Sequence, residues 1–380
     1  MKHKICILGT RSSFLKTVNS SGIPYVYLGP TKKLNFEVKG EFVEYNGSFP
    51  QSEKEASSFV AKFKRELEGV SLVIASGEGT VVSANLLRVA LGLPAYQEQV
   101  INACSNKLFM KRLLTEASIP MTKFLGSDEV SHMSEVYKVL GEKVVAKELN
   151  NSGGKGQTVL IAPAEWEMRS DILFEGFIIG KEMSVESFVQ NGEIKFQSTT
   201  QYFEKGVVNI VPSHYESELV SQAIDLNKKV LDAIGIKNGL THLEVYLTDN
   251  GILFGEIALR PPGGYIMDLI ELSFGVDPWQ MYLDIHLGKE LNIEKEKREF
   301  SAAMILHPGA GKCMEIEGQA YLETVPTIKL QRIKGKVGQT FSVRDGVSQE
   351  KAHFIFHSSN YGDLEKDIIG VRENFRFIME

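Results

Sequence analysis

The stretch Thr241–Ile266, THLEVYLTDNGILFGEIALRPPGGYI, constrains this chain more than any other. It reads as two strands joined by a tight turn at Asp249-Asn250-Gly251, with Gly251 free to take a positive φ. A three-residue loop pairs Thr248 with Ile252 and sets Glu244 opposite Glu256. One face then carries Leu243, Val245, Leu247, Leu253, Ile257 and Leu259. The other carries His242, Glu244, Tyr246, Phe254, Glu256 and Arg260. A two-residue turn at Asn250-Gly251 instead sends the glutamates to opposite faces, so the reading depends on register. Two carboxylates side by side repel unless a cation lies between them. Mg²⁺ suits such a pair, because it takes one or two carboxylates and completes its octahedron with water and phosphate oxygens. An exposed hairpin whose polar face meets water shows the same alternation. Arg260-Pro261-Pro262-Gly263-Gly264 comes directly off the second strand. It sets a guanidinium, a stiff turn and backbone free of side chains beside the carboxylates, the parts needed to hold an anion near a bound cation.

The chain has 380 residues, 43% hydrophobic and 24% charged, which suits two or three domains with a sizeable core. A net charge of -6 argues against a nucleic-acid partner, which wants a basic face. Cys6, Cys104 and Cys313 are scattered and odd in number. They point to a reducing compartment and read as small buried apolar residues. The N-terminal MKHKICILGT reads as a first strand, too short in its apolar run for a signal peptide. No apolar run approaches the roughly 18 residues of a membrane span, so the expectation is a cytoplasmic protein with no membrane partner.

Along the chain, Lys4–Gly9, Pro24–Leu28 and Ser71–Ala75 read as strands, and Thr80–Leu91 as a helix. Strands alternating with helices imply a doubly wound parallel sheet. Gly9 stands alone where a dinucleotide fingerprint needs GxGxxG. Glu78 sits at a strand C-terminal edge, where ligands bind in such sheets, although a solvated loop glutamate fits equally. Asn106–Ala117 is a helix with Lys107, Lys111 and Arg112. Lys147 lies inside the apolar strand Lys143–Leu149, which is costly unless its ammonium reaches water or an anion. The loop Asn150–Gln157, with Gly153, Gly154 and Gly156, can close over phosphates with backbone N–H groups, or be a hairpin tip. It is no Walker loop, since GxxxxGK[ST] is absent. Ile172–Ile179 is strand-like and Met183–Val189 follows it. Ser217–Ile234 is a long helix capped by Ser217 and stopped at Gly235. Asp268–Leu272 and Trp279–Leu287 look helical, and Phe300–Phe356 turns strand-rich.

The order of these features resembles the ATP-grasp superfamily over nearly the whole chain: a lysine on a helix, a lysine on a strand with a glycine loop, Glu-x-Phe-Ile with a second glutamate, then two strand glutamates and an arginine. The resemblance implies an α/β and α+β multidomain chain. Residues 1–105 would be a doubly wound pre-ATP-grasp domain, 106–190 a small subdomain with the glycine lid, 191–300 a large subdomain with the metal site, and 301–380 a strand-rich C-terminal region. It implies that Lys107 and Lys147 contact ATP phosphates, that Gly153 and Gly154 cover them, and that Glu175 with the backbone of Gly176 and Ile178 holds adenine. Glu182 would hold the ribose, Glu244 and Glu256 would ligate Mg²⁺ or Mn²⁺, and Arg260 would steady the γ-phosphate and the acyl phosphate. Glu78, His242, Gly263 and Gly264 would face the substrate. Ala258 departs from the Glu-x-Asn pattern of many members, which bears on a second metal ion.

Chemically, a carboxylate becomes electrophilic once phosphorylated, and an amine can then displace phosphate. That needs cations around developing charge and exclusion of water. The expectation is a carboxylate–amine ligase, most like the L-amino-acid ligases. Its partners are small carboxylates and amines, with a homodimer among the assemblies allowed. A carboxylase-like enzyme activating bicarbonate and a non-catalytic nucleotide-binding protein are the alternatives.

Overall fold

The computed structural model describes every residue except 1–3, 10, 31–33, 35, 151–155, 294–297 and 345–348. The first apolar segments fold as the alternation predicts. β1 (Lys4–Leu8), α1 (Ser12–Ser21), β2 (Tyr25–Gly29), β3 (Glu41–Glu44), α2 (Glu53–Lys62) and β4 (Val70–Ala75) come first. They give a parallel sheet in the order β3-β2-β1-β4. β2 is buried throughout, as a strand covered on both faces should be. A short 3₁₀ turn at Glu78–Thr80 follows β4 and leads into α3 (Val81–Ala90) and α4 (Glu98–Ala103). Glu78 therefore stands just past the C-terminal end of a parallel strand, the edge from which such sheets present ligands.

α5 (Lys107–Glu116) is capped by Asn106, whose side chain accepts from the Phe109 N–H. Then come β5 (Phe124–Gly126), α6 (Met133–Leu140), β6 (Lys143–Glu148), β7 (Gln157–Ile161) and β8 (Ile172–Gly176). Their sheet is antiparallel, ordered β5-β8-β6-β7. The expected strand to Ile179 ends at Gly176, whose N–H donates to Lys123 O at 2.9 Å.

β9 (Lys181–Gln190), β10 (Glu193–Glu204), β11 (Val208–Val211), α7 (Ser217–Ile234), β12 (Gly239–Thr248), β13 (Gly251–Ala258), α8 (Ile266–Phe274) and α9 (Pro278–Leu287) build the centre. β14 (Phe300–Leu306), β15 (Gly311–Glu317), α10 (Gln319–Leu322), β16 (Ile328–Ile333), β17 (Thr340–Phe341), β18 (Ala352–Ser358), α11 (Tyr361–Asn374) and β19 (Arg376–Met379) complete the chain. The large sheet has eight strands, β13-β12-β9-β10-β11-β14-β18-β16. It joins residues on both sides of the expected boundaries at 190 and 300. α7 lies on one face of it, burying Leu226, Val230 and Leu231 against Val185, Leu243 and Ile257. The cap of α7 differs from expectation. Ser217 is the first helical residue and the preceding Glu216 makes no side-chain cap, while Gly235 ends the helix at φ 83° as predicted. The strand-rich tail also holds the 14-residue α11.

The hairpin pairs Glu244 with Glu256 as expected, by a different route. The turn is two residues, Asp249-Asn250, so Thr248 pairs with Gly251 and Val245 with Phe254. Continued unbroken, that register would set the glutamates on opposite faces. An extra residue at Gly255 shifts it by one between Val245 and Glu244. Phe254 is consequently in the core with Val245, and Leu253 moves to the face of Tyr246, the reverse of the predicted assignment. A Cβ at Gly255 would stand 2.9 Å from the Glu244 carbonyl oxygen and 3.0 Å from the Tyr246 ring. Gly255→Val should therefore lower stability by about 1–3 kcal/mol, as overpacking does. A urea melt with an unchanged midpoint would show that the bulge accommodates a side chain.

Candidate active site

The polar face of the hairpin opens on a cavity of about 550 Å³. Its lining includes Lys147, Glu182, His242, Glu244, Glu256 and Arg260. Six residues expected from four separated segments thus meet in one place. Tyr202, Lys205, Asn209 and Arg344 line it as well and were not foreseen. Gly263 and Gly264 lie between this cavity and a second one of about 830 Å³, which Glu78 lines. Gly153 and Gly154 lie outside the described residues.

Lys147 enters from β6. Its Nζ is 2.6 Å from Glu175 Oε2, and Lys111 Nζ is 2.5 Å from Glu175 Oε1. Burial pushes the Glu175 carboxyl up, but the ammonium groups of Lys111 and Lys147 outweigh it and hold it at about 2. Burial lowers Lys147, and Glu175 with Glu256 more than restores it, so Lys147 stays charged at the cavity wall. Lys111 goes the other way, lowered because burial outweighs Glu175. Both Glu175 oxygens are thus engaged by lysines and its carboxylate does not line the cavity, in contrast to the expected adenine contact. The Gly176 backbone is engaged too, its carbonyl accepting from Thr122 Oγ1 at 3.0 Å. Ile178 follows β8 in the link to β9. Lys107, the first residue of α5, is buried, with Nζ 3.4 Å from Glu256 Oε1.

The two hairpin carboxylates have different surroundings. For Glu244, burial raises the carboxyl, but the hydrogen bond from His242 and the charges of His242, Lys147 and Arg260 hold it at about 2. For Glu256, burial dominates, Lys107 only partly offsets it, and Glu244 adds repulsion, so its carboxyl is raised. A bound cation would let both ionise. Among the described residues no cluster of three or more His, Cys, Asp or Glu is arranged to hold a metal ion. Two carboxylates with no third side-chain ligand are the donor set of a Mg²⁺ ion that keeps phosphate oxygens and water in its shell.

Behind Glu244 stands a buried polar chain. Glu186 is fully buried on β9. It accepts from Ser184 Oγ at 2.6 Å and Thr200 Oγ1 at 2.8 Å, and faces His242 Nδ1 at 2.8 Å. His242 Nε2 lies 3.4 Å from Glu244 Oε1, which also accepts from the Tyr202 hydroxyl at 3.3 Å. Burial would lower the His242 imidazole, but Glu186 and Glu244 bring it up to about 9. Glu186 had a sequence signal: a charge inside the apolar run Met183–Val189, the same signature that singled out Lys147.

Arg260 Nε and Nη2 donate to Glu78 Oε2 at 2.9 and 2.7 Å. Burial lowers Arg260, and Glu78, Glu244 and Glu256 together raise it above its ordinary value. Glu182 is 2.5 Å from Lys205 Nζ, and burial outweighs that contact to raise its carboxyl.

The model of the ATP-grasp domain family matches residues 112–273. The chain is 26% identical over 242 residues to an L-arginine-specific L-amino acid ligase of Bacillus subtilis, covering 58% of this chain and 59% of that protein. It is 26% identical over 268 residues to a formate-dependent phosphoribosylglycinamide formyltransferase of Methanocaldococcus jannaschii, covering 64% and 65%. The chain thus spans less than two thirds of the length of these curated relatives. Its fold matches the crystal structure of an L-amino acid ligase from Bacillus licheniformis with a TM-score of 0.81 at 17% identity, over 100% of this chain and 99% of the other.

The Lys111–Glu175–Lys147 group yields a stability prediction. Glu175→Gln leaves buried cations without their counter-charge and should cost about 3–5 kcal/mol. The sign with pH follows from a folded value of about 2 against an ordinary 4.5. A depressed carboxyl contributes above its unfolded value, so the gap between wild type and variant should be full above pH 4.5 and shrink as pH falls toward 2. Urea melts across that range that give a constant gap would contradict it.

Proposed function

Residues 112–273 match the ATP-grasp domain model, and from that premise we propose that the chain is an ADP-forming ligase joining a carboxylate to an amine through an acyl phosphate. One observation carries this reading: Glu244 and Glu256 face each other beside Lys147 and Arg260, in a cavity that adjoins a second, larger one. Phosphoryl transfer needs little covalent help from a protein and much positioning of positive charge. The first cavity supplies that charge and the second offers room for the attacking amine.

In this reading Lys107 and Lys147 hold the ATP phosphates, with Glu175 fixing the Lys147 ammonium. Adenine lies against the Gly176–Ile178 backbone and Glu182 meets the ribose. Glu244 and Glu256 would hold Mg²⁺, which when bound neutralises charge on the transferring phosphoryl group. The substrate carboxylate attacks the γ-phosphorus, the bond to ADP breaks, and Arg260 steadies the phosphoryl oxygens. The amine nitrogen then attacks the acyl carbon, phosphate leaves, and the amine proton passes to solvent. Activation of bicarbonate by the same cavity is the second reading, supported by the relatives of purine chemistry such as N5-carboxyaminoimidazole ribonucleotide synthase of Bacillus subtilis.

With a panel of acids, ATP should yield ADP and phosphate, and added hydroxylamine should trap the acyl phosphate as a hydroxamate. Acid-dependent AMP on chromatography would overturn the proposal, and turnover with bicarbonate alone would favour the second reading. Glu256→Gln should lose turnover by about 10²-fold, the scale of one preorganised electrostatic group. Arg260→Lys should also fall, because a point charge cannot replace a planar fork. Normal turnover of Glu256→Gln at limiting Mg²⁺ would remove the hairpin from the chemistry.

A further inference from the structure

A small cavity of about 10 Å³ shares no lining residue with the two larger ones. Asn85 and Arg88 reach it from α3, Tyr96 from the loop after α3, and Tyr282 and His286 from α9, with the start of β12 beside them. Arg88 is 6% exposed, and no carboxylate among the described residues lies within ion-pair distance of its guanidinium. No acidic side chain among those residues lines the cavity. A buried charge is costly and as a rule has a partner. The nearby acceptors are already in use. Val73 O accepts from Arg88 Nε at 2.7 Å, Asn85 Oδ1 from the Tyr96 N–H at 2.8 Å, and Ala75 O from the Tyr282 hydroxyl at 2.7 Å. Donors remain. Arg88 Nη2 faces His286 Nδ1 at 3.5 Å. A guanidinium cannot accept, so Nδ1 is the bare nitrogen and the imidazole proton sits on Nε2. That Nε2 is buried with no hydrogen-bond partner. Burial and the Arg88 charge hold the imidazole well below its ordinary value, which keeps the ring neutral.

We propose that this cavity binds one monatomic anion of the halide class, chloride under ordinary conditions, held by the Arg88 guanidinium and the His286 Nε2–H. Such an ion supplies both the counter-charge that Arg88 lacks and the acceptor that Nε2 lacks. The Tyr96 hydroxyl can donate to it as well, from a ring that lies 5.0 Å from the guanidinium. A space of about 10 Å³ takes one water-sized or monatomic occupant, which rules out phosphate, sulfate and carboxylates. Water answers the site less well. It brings no charge, and its own hydrogens find only the tyrosine hydroxyls to accept them. Because α3 belongs to the N-terminal unit and β12 and α9 to the centre of the molecule, the ion ties the two together, and its binding adds to stability by mass action.

Two measurements on the full chain test this. Crystals grown in sodium bromide should give an anomalous peak in the cavity, in contact with Arg88 and His286. In solution, sodium chloride in place of sodium gluconate at equal ionic strength should raise Tm by about 1–3 °C, because gluconate is too large to enter. Arg88→Met should lose that chloride-specific rise. A cavity without a bromide peak, holding water only, would overturn the proposal. An equal rise in wild type and Arg88→Met would also overturn it, since the response would then be a general salt effect that Arg88 does not mediate. The bromide map decides the matter even if the variant does not fold.

Discussion

Two carboxylates held side by side on one sheet surface are the demand to which the rest of this molecule answers. Glu244 and Glu256 face each other only because an extra residue is inserted at Gly255. Their repulsion is then managed from three directions. Lys107 comes from a helix start, Lys147 from a neighbouring sheet, and His242 from two residues along the same strand. Two of these cations are themselves held by further carboxylates. Lys147 shares Glu175 with Lys111, and His242 rests on Glu186. The outcome is an uneven pair, one carboxyl held low and one raised. That is the state a divalent cation relieves most, since it favours ionisation of both.

Two kinds of pattern in the sequence mark the site. Lys147 interrupts an apolar run, Glu244 and Glu256 fall on the polar face of an alternating hairpin, and all three reach one cavity. Helix α7 was legible to its final residue because its apolar face repeats with helical period and Gly235 stops it. The turn of the hairpin was not legible. Asp249-Asn250-Gly251 admits several loop lengths, and only packing of Phe254 in the core decides among them. The unexpected cavity residues have a different cause. Arg344 and Tyr202 reach the site through tertiary folding of distant segments, and no local pattern marks such a position.

Arg260 shows why the parallel N-terminal sheet belongs to the site. Its guanidinium is oriented by Glu78, 182 residues away in the chain. Arg11, from the first strand-to-helix loop, fixes the carbonyls of the two prolines that follow Arg260. A stiff Pro-Pro segment anchored at its carbonyls restricts where the guanidinium can point, which matters more for a planar fork than for a point charge. Tyr265 closes the segment with a positive φ of 63°, a conformation that costs about 1 kcal/mol or more in a non-glycine residue and persists only where packing imposes it. Its ring stacks on His353, in the tail of the chain.

The sheet architecture also sorts the site into two jaws. Glu244, Glu256 and His242 sit near one edge of an eight-stranded ladder that runs without a break to β16, so the tail behind Lys334 and His353 is wired to them by continuous backbone hydrogen bonding. Lys147 and Glu175 ride on a separate four-stranded sheet. A rigid rotation between the two sheets would change the Lys147-to-Glu244 span while leaving the geometry along the large ladder untouched. Spectroscopic labels placed one on each sheet would report any such rotation as a changed separation, and labels on β12 and β18 would serve as the internal ruler.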